Sequence, residues 1–256
     1  MSCEVKVGEE KDKTTVTETD IEQEGQKNMK IPRVKPNFFL AFKVNDIDIH
    51  KKVKHLQEQV LAKNSALYPA IINISTLHIT LAVTHLKNEE EIDRVRKMLD
   101  NWAHDNLTSL FGKPLILTFA GVNTFGSNVA YVDIEKDENY KRVCSLGENL
   151  NDLLVAGGFT RDNKPVNPHL TILKLSRDRN LLRSKKNFKK DFELIKENND
   201  NFGKQEVSHI QLLSMDDPKC EKGYYKCYHQ IDVTETKDEL DHSECCAPIC
   251  NPDKSS

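Results

Sequence analysis

A short strand pattern occurs twice in this chain and restricts its fold more than any other feature. The first copy is Leu77-His78-Ile79-Thr80-Leu81, and the second is Pro168-His169-Leu170-Thr171-Ile172. Side chains alternate across a β-strand, so His78 and Thr80 share one face while Leu77, Ile79 and Leu81 share the other. His169 and Thr171 repeat that division against Leu170 and Ile172. Each strand thus carries an imidazole and a hydroxyl roughly 7 Å apart on a polar face, backed by a greasy face that helices must cover. A lone histidine on a half-buried strand reads as a structural residue. Two copies in the same register, 91 residues apart, invite a cleft in which two strands face each other.

The rest of the chain supplies the cover. Ile49, Val53, Leu56 and Val60 fall on one helix face, Ile92, Val95, Leu99 and Trp102 repeat the period after glutamates 89–91, and Val143, Leu146, Leu150 and Leu153 form a third stripe. Strands are expected at 38–44, 77–86, 115–120, 128–134, 168–175, 207–214 and 224–233, so the chain is α+β or α/β, with about seven strands and three or four helices. The first thirty residues have no hydrophobic period, and residues 234–256 are again polar and acidic. We expect an acidic disordered tail at 1–30, one domain at 31–233 and an acidic cysteine-containing tail at 234–256.

Charge follows the same division. The first tail carries eight acids and five lysines and the last six acids and two lysines, so the overall −3 leaves +4 on the 203 residues between them. That mildly basic body suits a small anion or a short oligonucleotide better than duplex DNA gripped over many phosphates. A hydrophobic share of 38% over 256 residues is enough for a substantial core, despite a mean hydropathy of −0.60. No run approaches a membrane span, and no signal peptide is recognisable. Seven cysteines without framework spacing are expected to be mostly free thiols. Cys245, Cys246 and Cys250 are read as surface thiols, with metal binding or acylation as alternatives.

Two imidazoles suit one reaction in particular. With an ordinary pKa near 6.5, one ring can be neutral and the other protonated, which is the pairing needed to cleave a phosphodiester by internal attack. The neutral ring takes the proton of a ribose hydroxyl and the imidazolium protonates the departing oxygen. The threonine hydroxyls can donate to the non-bridging oxygens. No metal or cofactor is called for. The competing signatures are absent: no phosphate loop, no H-E-x-x-H and no G-x-S-x-G. Cys220, Cys227, His229 and His209 could be drawn as a zinc set, but their spacing is not a usual one. Arg177, Arg179, Arg183, Lys185 and Lys186 begin a basic run after the second histidine strand, with Asp178 its one acid as far as Lys190. The run reads as a phosphate-attracting patch at the mouth of a cleft, as a nuclear import signal, or as solvated charge.

His78-Ile79-Thr80-Leu81 and His169-Leu170-Thr171-Ile172 resemble the paired His-x-Thr motifs of the two-histidine (2H) phosphoesterases. Pro36-Asn37-Phe38-Phe39-Leu40-Ala41, Lys174-Leu175-Ser176, Leu212-Leu213-Ser214-Met215 and Gly223-Tyr224-Tyr225-Lys226-Cys227 extend the likeness to the central domain of the nuclear isoforms of A-kinase anchoring protein seven, over about residues 33–233. The resemblance implies an α+β fold of two similar lobes, antiparallel sheets lining a central groove with helices outside. It also implies His78 and His169 as the catalytic pair and Thr80 and Thr171 as phosphate binders. The activity implied is metal-independent cleavage of 2',5'-linked oligoadenylate, through attack by the adjacent 3'-hydroxyl and a 2',3'-cyclic phosphate.

Three alternatives stand beside that reading. The enzyme could act on other RNA ends, either 2',3'-cyclic phosphates or 3' tails; the groove could bind nucleotide or RNA without catalysis; or the chain could anchor protein kinase A. The last is doubtful, because residues 234–256 have only Leu240 and Ile249 as large aliphatics, too few for an apolar docking stripe. A chain beginning Met1-Ser2-Cys3 also lacks a glycine for myristoylation. A monomer in the nucleus or cytoplasm, with no DNA or membrane partner, is the expectation.

Overall fold

The computed structural model describes residues 34–159, 165–184 and 201–233. The expected tails at 1–30 and 234–256, with Cys245, Cys246 and Cys250, lie outside the described residues, as do Lys185 and Lys186. After Pro36 the apolar run forms strand β1 (Phe38–Lys43). Asp46 then starts helix α1 (Ile47–Lys63), its carboxylate accepting from the amides of Asp48 and Ile49 and so satisfying two otherwise orphaned donors. The α1 residues Ile49, Val53, Leu56 and Val60 are at most 1% exposed. Helix α2 (Glu89–Phe111) is capped by Asn88 and opens on three glutamates, which favour the positive end of its dipole. Helix α3 (Glu138–Ala156) is capped by Asp137 and buries Val143, Leu146, Leu150 and Leu154. Leu154, rather than the expected Leu153, completes the buried stripe. A short helix, α4 (Arg179–Arg183), is capped by Asp178.

The other strands are β2 (His78–Thr84), β3 (Ile116–Phe125), β4 (Val129–Ile134), β5 (Leu170–Lys174), β6 (Gly203–Glu206), β7 (His209–Ser214) and β8 (Cys227–Asp232). They make one sheet in the order β6-β3-β4-β5-β2-β1-β7-β8, with every pairing antiparallel. The two lobes appear as two four-stranded halves whose neighbouring strands, β2 and β5, share a single residue pair, Ile79 with Leu170. Among the described residues, eight strands replace the expected seven. The additional one, β6, reads Gly-Lys-Gln-Glu and pairs only with β3 at the sheet's edge, so it needs no apolar face and leaves no hydrophobic period. Strand β3 also runs on to Phe125, through Gly121 at φ +76°, a left-handed conformation that glycine tolerates. The chain enters the last strand at Cys227; Gly223 to Lys226 belong to the β7–β8 loop.

Strand alternation separates the two faces of the sheet. Phe38, Leu40, Phe42, Ile79, Leu81, Leu170 and Ile172 join the helices in the main core. Phe39 and Ala41 turn the other way and meet Leu213 and Tyr224 in a small separate cluster. This second face, free of the long helices, carries His78 and Thr80. Both histidine strands contain a β-bulge directly after the threonine. Ala41 pairs with Thr80 but Leu40 with Ala82, leaving Leu81 extra, and Tyr131 pairs with Thr171 but Ala130 with Leu173, leaving Ile172 extra. Bulges bend a strand and re-aim the side chains beside them. Here both do so next to a His-x-Thr.

Candidate active site

The centre of the site follows from one pairing. Ile79 and Leu170 are the middle residues of the two motifs, and they pair antiparallel with each other. Extending that register one residue each way sets His78 opposite Thr171 and Thr80 opposite His169. Facing residues have Cβ atoms about 5 Å apart and diagonal ones about 7–8 Å, so the two rings lie diagonally across a seam with a hydroxyl beside each. That spacing is suited to a phosphoryl group held between them.

Both rings are locked in the same tautomer. Nδ1 of His78 lies 2.7 Å from the carbonyl of Thr76, and Nδ1 of His169 lies 2.6 Å from that of Asn167. A carbonyl can only accept, so each Nδ1 holds a proton and the neutral ring presents a bare Nε2. The carbonyls are placed by the segments that precede the strands. For His78 it is the turn Ile74–Thr76, held by the Thr76 amide and hydroxyl on the carbonyl of Asn73. For His169 it is the extended Asn167-Pro168 segment. Among the described residues, none bonds either Nε2 or the hydroxyls of Thr80 and Thr171.

The surroundings differ. His78 sits against Phe39 at 4.9 Å and edge-on to Tyr225 at 5.3 Å between ring centroids, and Lys219 Nζ stands 3.3 Å from the centre of the Tyr225 ring. Burial lowers the His78 pKa to about 4, against the pull of the Thr76 bond, and the charges of His169, Lys219 and Lys174 push the same way. His169 meets Phe125 edge-on at 4.7 Å and Tyr131 at 5.2 Å. Its pKa is also lowered by burial, while the Asn167 bond and the carboxylate of Asp133 pull it back up. Asp133 is itself paired with Lys136 at 2.8 Å.

The four residues singled out from sequence are therefore brought together. The basic run is divided. Arg177 Nη1 bonds the carbonyl of Ile71 at 2.5 Å, and its charge reaches Lys219 and Tyr225. Arg179 and Arg183 are exposed on α4, with no contact to the histidines among the described residues. The zinc set is not assembled. Cys227 Sγ donates to the carbonyl of His229, His209 lies between Ser208 and Asp232, and His229 meets Asp100 at 2.8 Å. Among the described residues, no three His, Cys, Asp or Glu side chains are placed to hold a metal ion, and no helix is long and apolar enough to cross a membrane. The site residues not found from sequence are Phe39, Phe125, Tyr131, Asp133, Lys174, Lys219 and Tyr225. Most stand one or two strands or a loop away, where local spacing carries no signal.

An antiparallel sheet covered on one face by helices, with paired His-x-Thr motifs meeting on the other, defines a two-histidine phosphoesterase fold. The chain belongs to the family described as the AKAP7 2'5' RNA ligase-like domain, whose model matches residues 36–233. It is 30% identical over 202 residues to human A-kinase anchor protein 7 isoform gamma, across 78% of this chain and 58% of that protein. It is 26% identical over 104 residues to mouse activating signal cointegrator 1 complex subunit 1, across 38% of this chain and 28% of that protein. The chain thus spans less than two thirds of the length of these relatives. Among solved structures, E. coli LigT complexed with 3'-AMP shares the fold, with a TM-score of 0.51 at 16% identity, over 78% of this chain and 99% of that one.

Proposed function

We propose that this protein is a phosphodiesterase acting on ribonucleotide ends, at phosphates next to a vicinal ribose hydroxyl. The observation that carries the reading is the matched pair of tautomer-locked imidazoles across the seam, each with a threonine hydroxyl beside it. His78, the ring held most firmly neutral, takes the proton of the ribose hydroxyl on Nε2. The oxygen attacks phosphorus, and the ester oxygen departs with the proton carried by Nε2 of His169, whose charged form Asp133 favours. Thr80 and Thr171 donate to the non-bridging oxygens, where negative charge is held through the transition state. The product is a 2',3'-cyclic phosphate. In a second step water is activated by His169, and His78 returns its proton to the opening ring oxygen. The sequence of proton transfers calls for no metal.

The family description, with its 2'5' RNA wording, supports ribose-edge chemistry, and the LigT structure of the same fold was obtained with a nucleotide phosphorylated at the ribose 3' position. This favours a broad class, including 2',3'-cyclic ends and 3' tails, over restriction to 2',5'-oligoadenylate. The test is a panel of 2',5'- and 3',5'-linked diadenylates, their deoxy analogues lacking the attacking hydroxyl, and a 2',3'-cyclic phosphate end, assayed after chelator dialysis. Cleavage of the diadenylates that retain the vicinal hydroxyl, no cleavage of their deoxy analogues, and opening of the 2',3'-cyclic phosphate by water are expected. A preference of a hundredfold or more for the 2',5' isomer would narrow the substrate to oligoadenylate. Continued cleavage of the deoxy analogues, or none of any member, would overturn the reading.

A further inference from the structure

The two ends of the seam offer a ligand different chemistry. Beside His169, Phe125 lies nearly parallel to Tyr131, with ring centroids 4.3 Å apart and planes at 23°. Tyr131 is 6% exposed, whereas Phe125 is 37% exposed. One face of the Phe125 ring is thus backed by a buried ring and its edge touches the histidine, which leaves the outer face bare. It stands at the tip of the β3–β4 hairpin, fixed by Gly126 at φ +57° and by the bond from the Asn128 amide to the Phe125 carbonyl. A bare, preorganised aromatic face beside a catalytic group suits a flat, apolar ring.

Beside His78 the corresponding ring is already covered by a cation. Lys219 Nζ stands over Tyr225, and the β7–β8 loop that carries both is tied down where Ser75 Oγ donates to the carbonyl of Gly223. Arg177 is anchored to the same stretch of chain through Ile71, and Ile71 bridges to Leu173 of β5. Segment 71–75 therefore holds the two cations to one end of the seam. Among the described residues, neither has a carboxylate at ion-pairing distance. Two neighbouring uncompensated cations suit a second phosphate.

We propose that the seam takes an oligonucleotide in one direction, with the base of the leaving nucleoside stacked on Phe125 and the 5'-phosphate of the upstream nucleotide on Lys219 and Arg177. The inference rests on the phosphodiesterase reading above. There the departing oxygen is at His169 and the attacking hydroxyl at His78. The leaving nucleoside then lies toward Phe125, and the nucleotide carrying the attacking hydroxyl has its 5' end toward Lys219.

Two substrate ratios test the direction. The first is kcat/KM for a diadenylate over the same phosphodiester with an abasic leaving sugar, and the second is kcat/KM for the 5'-phosphorylated diadenylate over the unphosphorylated one. In the wild type each is expected to exceed about fivefold, by stacking for the first and by charge-assisted hydrogen bonds for the second. Phe125→Leu should bring the base ratio toward one and Phe125→Trp should restore it, with the phosphate ratio unmoved. Lys219→Met, or Arg177→Gln should the first variant fold poorly, should lower the phosphate ratio and its salt dependence and leave the base ratio. Both ratios near one in the wild type, or each moved by the other group's substitution, would overturn the direction while leaving the phosphodiesterase reading intact. No cleavage of the unphosphorylated diadenylate or its abasic counterpart would instead count against that reading.

Discussion

Strands β2 and β5 carry the same motif, the same bulge after the threonine and the same Nδ1 bond to a carbonyl two residues back, yet their surroundings differ. His78 is enclosed by Phe39 and Tyr225 with cations behind them, and its pKa falls to about 4. His169 lies beside an exposed aromatic stack and an acid that favours its charged form. The lesson is that a duplicated motif supplies two equivalent imidazoles, and the neighbours on adjacent strands and loops set their protonation apart, which in the proposed mechanism makes one the base and the other the acid.

The strongest way to break this comparison is to remove each ring in turn. His78→Ala and His169→Ala should each lower kcat by about 10²- to 10⁴-fold while circular dichroism stays native, because the main core lies on the other face of the sheet. Loss of fold in both variants would make the histidines structural. Next in size, Thr80→Ala and Thr171→Ala should each cost on the order of 10²-fold in kcat, as expected for one donor to a developing charge. A KM effect alone would show that the hydroxyls hold only the ground state.

The seam can be challenged through stability. Leu170→Ala removes a fully buried side chain at the one residue pair between β2 and β5 and should cost about 2–5 kcal/mol, lowering the melting temperature by roughly 5–20 °C. A shift within error would mean that the halves hold together without this pair.

The subtlest prediction concerns pH. The base must be unprotonated, so activity rises with pH through the His78 pKa of about 4. The acid must be protonated, so activity falls with pH through the His169 pKa, which lies below the ordinary 6.5. The kcat/KM profile should therefore peak on the acidic side of 6.5. Asp133→Asn withdraws the charge that favours protonated His169, so the descending limb should move to lower pH while the ascending limb stays. Movement of the ascending limb instead would exchange the two roles.

Much of this is legible in the amino-acid sequence alone. The alternation in Leu77 to Leu81 and in Pro168 to Ile172 placed both histidines and both threonines on polar strand faces, because a period of two is a local property of extended backbone. The stripes of α1, α2 and α3 were legible for the same reason at a period of 3.6. Strand β6 was not, since a polar edge strand is defined by its partner and not by its own composition. The basic run was legible as charge but not as placement: Arg177 is anchored at Ile71, while Arg179 and Arg183 are exposed on a one-turn helix.

The sequence by itself determined which residues could do the chemistry, since only local period and side-chain type were needed. Tertiary structure decided how they work together. The pairing of Ile79 with Leu170 sets each histidine against the other motif's threonine, and such a register is a contact between segments 91 residues apart. The neighbours that make the two rings' surroundings differ, Lys219 and Tyr225 on one side and Phe125 and Asp133 on the other, arrive from a loop and from strands β3 and β4. No spacing along the chain encodes their distance from a ring, because burial and charge act through space.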